Sequence, residues 1–120
     1  MSTRCIIGYS DGKIHGMYSH YDGYPDHVGK ILVKHHNSFA AMEAIIDGGQ
    51  IRNFDNDGTI CRFGHGPVHG AETFDDIKDV LSSGFDYVYL WSNDGCWKCW
   101  GKERGVVREF DIPGNRPWEA

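Results

Sequence analysis

Two four-residue turns constrain this chain more than any other feature: Ser10-Asp11-Gly12-Lys13 near its start and Ser92-Asn93-Asp94-Gly95 near its end. Each lies between runs rich in β-branched or aromatic residues, and Asp-Gly between such runs is a strong short-range hairpin signal. The first turn predicts strands over residues 3–9 and 14–19. The second predicts a strand over 87–91, read Tyr-Val-Tyr-Leu-Trp, and a return strand over 96–100. Helical spacing dominates between the hairpins. Pro25 suits a first helical position, where its missing N–H does no harm, and Val28, Ile31, Leu32 and His35 follow on one face. Ser38 is placed to cap a second helix over 39–47, with Met42, Ile45 and Ile46 inward and Gly48-Gly49 as its stop. Thr73 is placed to cap a third helix over 74–81. An edge strand is expected over 59–63, and residues 64–70 read as irregular.

The order is an α+β domain: one antiparallel sheet built from two hairpins, with two or three helices packed mainly on one face. At 120 residues the chain suits a single core. The expected division is one domain over 1–104 and a C-terminal extension over 105–120, where Pro113, Gly114 and Pro117 interrupt regular structure. The 16 glycines are about twice the usual share of roughly 7% and imply many tight turns.

Charge and composition exclude some functions. Twelve Lys and Arg against seventeen Asp and Glu give a net charge of −5, which disfavours a duplex nucleic-acid surface. No apolar run approaches the roughly 18 residues of a membrane span, and the start carries too short an apolar run for a leader. The expectation is a cytoplasmic protein whose Cys5, Cys61, Cys96 and Cys99 are free thiols.

Residues Tyr18 to Gly29 carry the densest chemistry. Three tyrosines, two histidines and two aspartates occupy twelve positions, with Gly23 and Pro25 between them. Rigid aromatics with polar tips give contact area at low entropy cost, as a binding loop requires. On this reading Tyr18, Tyr21 and Tyr24, with Trp97 and Trp91, stack on a flat ring. His20 and Asp22 read its polar edge, and Lys30, Arg62 or Arg104 meet phosphates. Gly23 is expected to supply an unusual backbone conformation, and Pro25 to fix the exit into the helix.

Other constellations read as structural. Cys96 and Cys99 are three apart on an expected strand, so their sulfurs diverge, and a zinc site would need two further ligands. His65 and His69 are four apart, but the surrounding Gly and Pro argue against the helix that such spacing needs. No metal or cofactor is expected. A hydrolase would use His20 as base, Asp22 as its orienter and Ser19 or water as nucleophile, but the sequence offers no oxyanion hole for it.

The pattern Gly16-Met17-Tyr18-Ser19-His20-Tyr21-Asp22-Gly23-Tyr24-Pro25, followed by Val28-Gly29-Lys30-Ile31-Leu32 and His35-His36, resembles a widespread family of small phage and prophage proteins. Those proteins share a Tyr-x-His-Trp/Tyr-Asp-Gly-Tyr-Pro core and an aromatic strand like residues 87–91, followed by a turn and a Trp such as Trp97. The resemblance covers roughly residues 3–100 in two blocks. It implies a phage accessory protein of the counter-defence type, one that binds and sequesters a nucleotide immune signal without cleaving it. The alternative is a direct inhibitor of a host defence effector, an anti-CRISPR or nuclease inhibitor, using Asp55, Asp57, Glu72, Asp75, Asp76 and Asp79 as a partial DNA mimic. A weaker alternative is a small enzyme that degrades such a signal.

Trp91, Trp97, Trp100 and Trp118 gather towards the C-terminus, more aromatic surface than a small core readily buries, and such surface marks interfaces. Light scattering at micromolar concentration is expected to report a homo-oligomer. A strict monomer would contradict this.

Overall fold

A computed structural model describes residues 3–63 and 71–112; the segment with His65 and His69, and Trp118 with the rest of the tail, lie outside the described residues. The chain runs β1 (Cys5–Ser10), β2 (Ile14–Ser19), a π-helical turn (Pro25–Gly29) continuing into α1 (Lys30–His35), α2 (Phe39–Asp47), β3 (Ile51–Phe54), β4 (Ile60–Arg62), β5 (Glu72–Phe74), α3 (Ile77–Ser82), β6 (Tyr87–Trp91), β7 (Trp97–Glu103) and β8 (Val106–Phe110). The strands form one sheet in the order β4-β3-β2-β1-β6-β7-β8, with β5 also paired to β2. It is an α+β fold with a mostly antiparallel sheet, as the hairpins predict.

Both expected hairpins are present, and they join through a parallel pairing of β1 with β6, from Cys5↔Tyr87 to Tyr9↔Trp91. A second parallel contact, Ser19↔Ile51, brings β3 beside β2 after the α1–α2 crossover. The central strands are buried on both faces, which is why β1 reads as the continuous run Cys-Ile-Ile-Gly without polar alternation. Cys5, Ile7, Met17, Tyr89, Trp97 and Cys99 face one core, where Val28, Ile31 and Leu32 and then Met42 and Ile45 of α2 cover them. Ile6, Ile14, Val88 and Leu90 face the other, closed by Phe74 and by Val80 of α3, with Phe85 and Trp100 packed at its margin. Two helices therefore lie on one face and one on the other.

Ser38 caps α2 as expected, its Oγ accepting from the Ala41 N–H at 3.0 Å. The third helix differs. Thr73 does not cap it; Asp76 does, its carboxylate accepting from the Asp79 N–H at 2.8 Å. Residues 72–74 are strand instead. Because β3 meets β2 only at Ser19, the edge of β2 near Ile14 is open, and β5 fills it through Ile14↔Phe74 and Gly16↔Glu72. This also buries Phe74 on the second face. The boundary expected at residue 105 falls inside the β7–β8 turn: β8 pairs with β7 from Cys99↔Phe110 to Glu103↔Val106, and Ile112 is buried in the first core. Cys96 precedes β7 rather than lying on it, half-buried, while Cys99 is fully buried and burial pushes its thiol up to about 12. Among the described residues no helix is long and apolar enough to cross a membrane.

Gly8 sits where three central strands converge. A Cβ there would fall 1.8 Å from the His15 carbonyl oxygen and 2.6 Å from the Gly16 Cα, both backbone atoms that cannot step aside. Gly8→Ala is expected to cost on the order of 3 kcal/mol, read as a lower midpoint of urea unfolding. An unchanged midpoint would mean that β1 and β2 are not in this register.

Candidate functional site

The loop after β2 is held by backbone bonds before any ligand arrives. The His20 N–H donates to the Ile51 carbonyl and the Tyr21 N–H to the Arg52 carbonyl, each at 3.0 Å. The Gly23 N–H donates to the Thr3 carbonyl at 2.9 Å, and the Gly23 carbonyl accepts from the buried Tyr89 hydroxyl at 2.7 Å. Gly23 is needed for this close approach, since a Cβ would lie 2.9 Å from both the Thr3 oxygen and the Cys5 Cβ. The left-handed residue of the loop is its neighbour, Asp22, at φ 55°. The expectation that Gly23 supplies the unusual backbone angle is thus corrected: Gly23 supplies room, and Asp22, a residue type that tolerates this region, supplies the angle.

The loop presents an aromatic cluster. Tyr18 is half-buried, its ring edge-on to Phe85 at 5.6 Å and its hydroxyl bonded to His20 Nδ1. Burial pushes the Tyr18 phenol above its ordinary pKa. The phenol therefore keeps its proton at neutral pH. His20 meets Tyr21 edge-on at 4.4 Å and Phe63 at 5.9 Å. Tyr21, Tyr24 and Phe63 remain 40%, 40% and 45% exposed. Phe63 was not singled out from the sequence. It follows β4 next to a Gly-rich stretch, and only the β3–β4 pairing brings it to His20.

Tyr24 precedes the π-turn, with its ring 6.2 Å from that of His27, whose Nε2 bonds the Phe54 carbonyl at 2.9 Å. His27 then lines a shallow groove of about 200 Å³ with Asp26, Lys30, Lys34, His35 and Asn56. Lys30 and Lys34 lie one helical turn apart on α1, both exposed, and make no ion pair among the described residues. The loop and the groove are joined through β3: Tyr21 is anchored at Arg52, and His27, which lines the groove, two residues on at Phe54.

Two expected site residues are structural. Arg62 does not face a ligand. Its guanidinium reaches the C-terminal end of α2, donating to the carbonyls of Ile45 at 3.2 Å, Ala44 at 3.0 Å and Gly49 at 2.5 Å. A helix end leaves such carbonyls unsatisfied at its negative pole, so a cation there acts as a cap. Trp97 is fully buried, with its indole N–H donating to the His36 carbonyl at 3.0 Å. Arg104 lies in the β7–β8 turn, at the opposite sheet edge from β3. Asp22 is exposed beside the cluster. Ser19 is fully buried and, one residue before His20 on an extended chain, points to the other side, so it does not meet His20 as a nucleophile would.

Most of the aspartates considered as a DNA mimic hold turns. Asp57 accepts from the Thr59 N–H, Asp55 from Asn53, Asp79 from the Asp75 N–H, and Asp76 caps α3. Asp75 pairs with Lys13 at 3.7 Å. Among the described residues no three His, Cys, Asp or Glu converge as a metal would require. In comparisons with protein-family models, with curated proteins and with solved structures, nothing matches the chain.

Tyr89→Phe tests the link between core and loop. It leaves the buried Gly23 carbonyl without its donor and is expected to cost about 1–3 kcal/mol. Faster hydrogen exchange at the Tyr21 and Gly23 amides should accompany it. A stability loss without faster loop exchange would mean that the loop is held independently of Tyr89.

Proposed function

We propose that the protein binds a nucleotide-type ligand and holds it intact. The supporting observation is the juxtaposition just described: a backbone-locked loop exposing Tyr21 and Tyr24, with Phe63 beside it, next to a groove carrying Lys30 and Lys34. Stacking on exposed aromatics is worth about 1–3 kcal/mol per base and does not require a basic protein. Two ammonium groups free of carboxylate partners supply the local charge that a phosphate needs, despite the overall −5. Tyr21 and Tyr24 take the base, His20 and Asp22 stand at its polar edge, and Lys30 with Lys34 meets the phosphate. Because the loop is bonded in place before binding, little conformational entropy is lost on association.

The resemblance to small phage proteins suggests that the ligand is a nucleotide immune signal, sequestered in the host cytoplasm. Direct inhibition by acidic mimicry draws little support from carboxylates already engaged in turns and caps.

The experiment is incubation with a panel of linear and cyclic nucleotides, heat release and chromatography. Ligand recovered unchanged is the expected result. Recovery of an altered ligand would indicate turnover, and no binding would favour a protein target. Tyr21→Ala should weaken binding by about 2 kcal/mol, as anchor residues do. Lys30→Ala with Lys34→Ala should lower both the affinity and its salt dependence. Arg62→Ala should lower the unfolding midpoint and leave affinity unchanged. Variants at Tyr21 and Lys30 that fold and bind like the wild type would overturn the proposal.

A further inference from the structure

At the opposite end of the sheet, β1 and β6 run parallel as neighbours and finish side by side, at Tyr9-Ser10 and Trp91-Ser92. From there the chain turns away in opposite directions, β1 into β2 on one side and β6 into β7 on the other. Diverging connections at the carboxyl ends of adjacent parallel strands leave a crevice, as they do at the ligand sites of open α/β sheets. Here the crevice is about 250 Å³, with Tyr9, Trp91 and Phe39 of α2 as its aromatic walls and Ser10, Ser92 and Asn93 at its rim.

The walls are held from behind. Tyr9 stacks on His15 with ring centroids 5.1 Å apart and planes 28° from parallel. His15 is itself fixed by Asp11 at 2.9 Å and by Thr73 Oγ1 at 3.3 Å. Trp91 stands edge-on to the buried Trp97 at 5.4 Å and 75°. Phe39, by contrast, is 56% exposed one residue after the α2 cap, a position that leaves a large ring in water with no packing reason. The rim offers hydrogen bonds: neither the Ser10 hydroxyl nor the Asn93 carboxamide has a partner among the described residues. No charged side chain lines the crevice; nearby, Lys98 pairs with Asp94 at 3.6 Å and the Asp11 carboxylate is hydrogen-bonded to His15.

We infer that this crevice is a second binding site, for an uncharged flat heteroaromatic ring of nucleobase type. Its volume lies below the range of about 300–1,000 Å³ typical of drug-sized ligands and suits one ring system. Aromatic walls with fixed orientation stack on such a ring, and a free carboxamide is the group that pairs two-fold with a base edge. Without a cation the site does not select a phosphate, so its ligand is a base or nucleoside, or one base of a longer molecule. It lies at the far end of β1 from the Tyr18–Pro25 loop, six residues or about 20 Å away, and does not rest on the reading of that loop.

Adenosine, guanosine, cytidine and uridine, which carry no phosphate, test this by amide chemical-shift titration of the full chain. N-acetyl-tryptophanamide and N-acetyl-prolinamide serve as peptide-side-chain probes. The expected result is saturable shifts at Ser10, Ser92 and Asn93 with at least one nucleoside. Phe39→Ala, which folds normally because the ring is exposed, should weaken that binding by about tenfold. Asn93→Ala should narrow the differences among the four nucleosides. Absence of crevice shifts at millimolar nucleoside overturns the inference, as does wild-type affinity in Phe39→Ala. Shifts with the acetylated amino acids alone also overturn it, and assign the crevice to a peptide side chain.

Discussion

The pairing of β1 with β6 is the contact on which the remainder of this molecule rests. It joins hairpins that are local in sequence and otherwise separate. The Asp86 N–H donates to the Arg4 carbonyl at 2.8 Å and the Arg4 N–H to the Asp86 carboxylate at 3.0 Å, across 82 residues of chain. Neither hairpin alone is stable in water, because a two-stranded unit buries too little. Joined, they form a four-stranded centre with both faces available, and each face then recruits helices. The close backbone approach at Gly8 is part of the same arrangement: a side chain there would hold β1 away from β2 and thin the centre of the sheet. Because the decisive contact is so distant in sequence, loop-closure entropy opposes it until late, and folding is expected to be slow for a chain of this size.

The candidate loop inherits its rigidity from that centre. Tyr89 lies on β6 in the first core, and its hydroxyl is the polar atom that emerges at Gly23. Burial holds the phenol well above its ordinary pKa, so it stays a donor across the physiological range. The Thr3 carbonyl, just before β1, holds Gly23 from the other side, while Ile51 and Arg52 on β3 hold His20 and Tyr21. Three strands thus fix one short loop. The aromatic residues on it keep their exposure because the backbone, and not their own burial, sets their positions.

Much of this arrangement was legible in the sequence, where the signals were local. The turns at Asp11-Gly12 and Asp94-Gly95, the Ser38 cap and the Pro25 start each depend on neighbours a few residues away, and each is where those residues require. What escaped depended on distant partners. Thr73 is a respectable cap in isolation, but the open edge of β2 claims residues 72–74 as strand, and Asp76 takes over the helix. Arg62 reads as a phosphate ligand until the end of α2 appears beneath it. Trp97 reads as a stacking platform until two helices cover its face of the sheet. Phe63 carried no signal at all, because only strand pairing brings it to His20.

The parallel pairing also accounts for the position of two aromatic surfaces among the described residues. A sheet made only of hairpins closes each strand end with its own turn. Two parallel neighbours cannot share a turn: β1 and β6 run the same way, and the hairpin that follows each leads off to its own side of the pair. At the carboxyl ends of β1 and β6 this divergence opens the crevice of Tyr9, Trp91 and Phe39. On the other side of the crossover, the parallel step from β2 to β3 forces residues 20–24 to cross the end of the sheet before α1 begins, exposing Tyr21 and Tyr24. At each of the two parallel contacts in the otherwise antiparallel sheet the sequence thus supplies rigid rings. Rings left partly in water by a fixed backbone forfeit a fraction of the about 1.5–3 kcal/mol that full burial is worth. That cost falls on the same two topological features, which is the physical reason for seeking the ligands there.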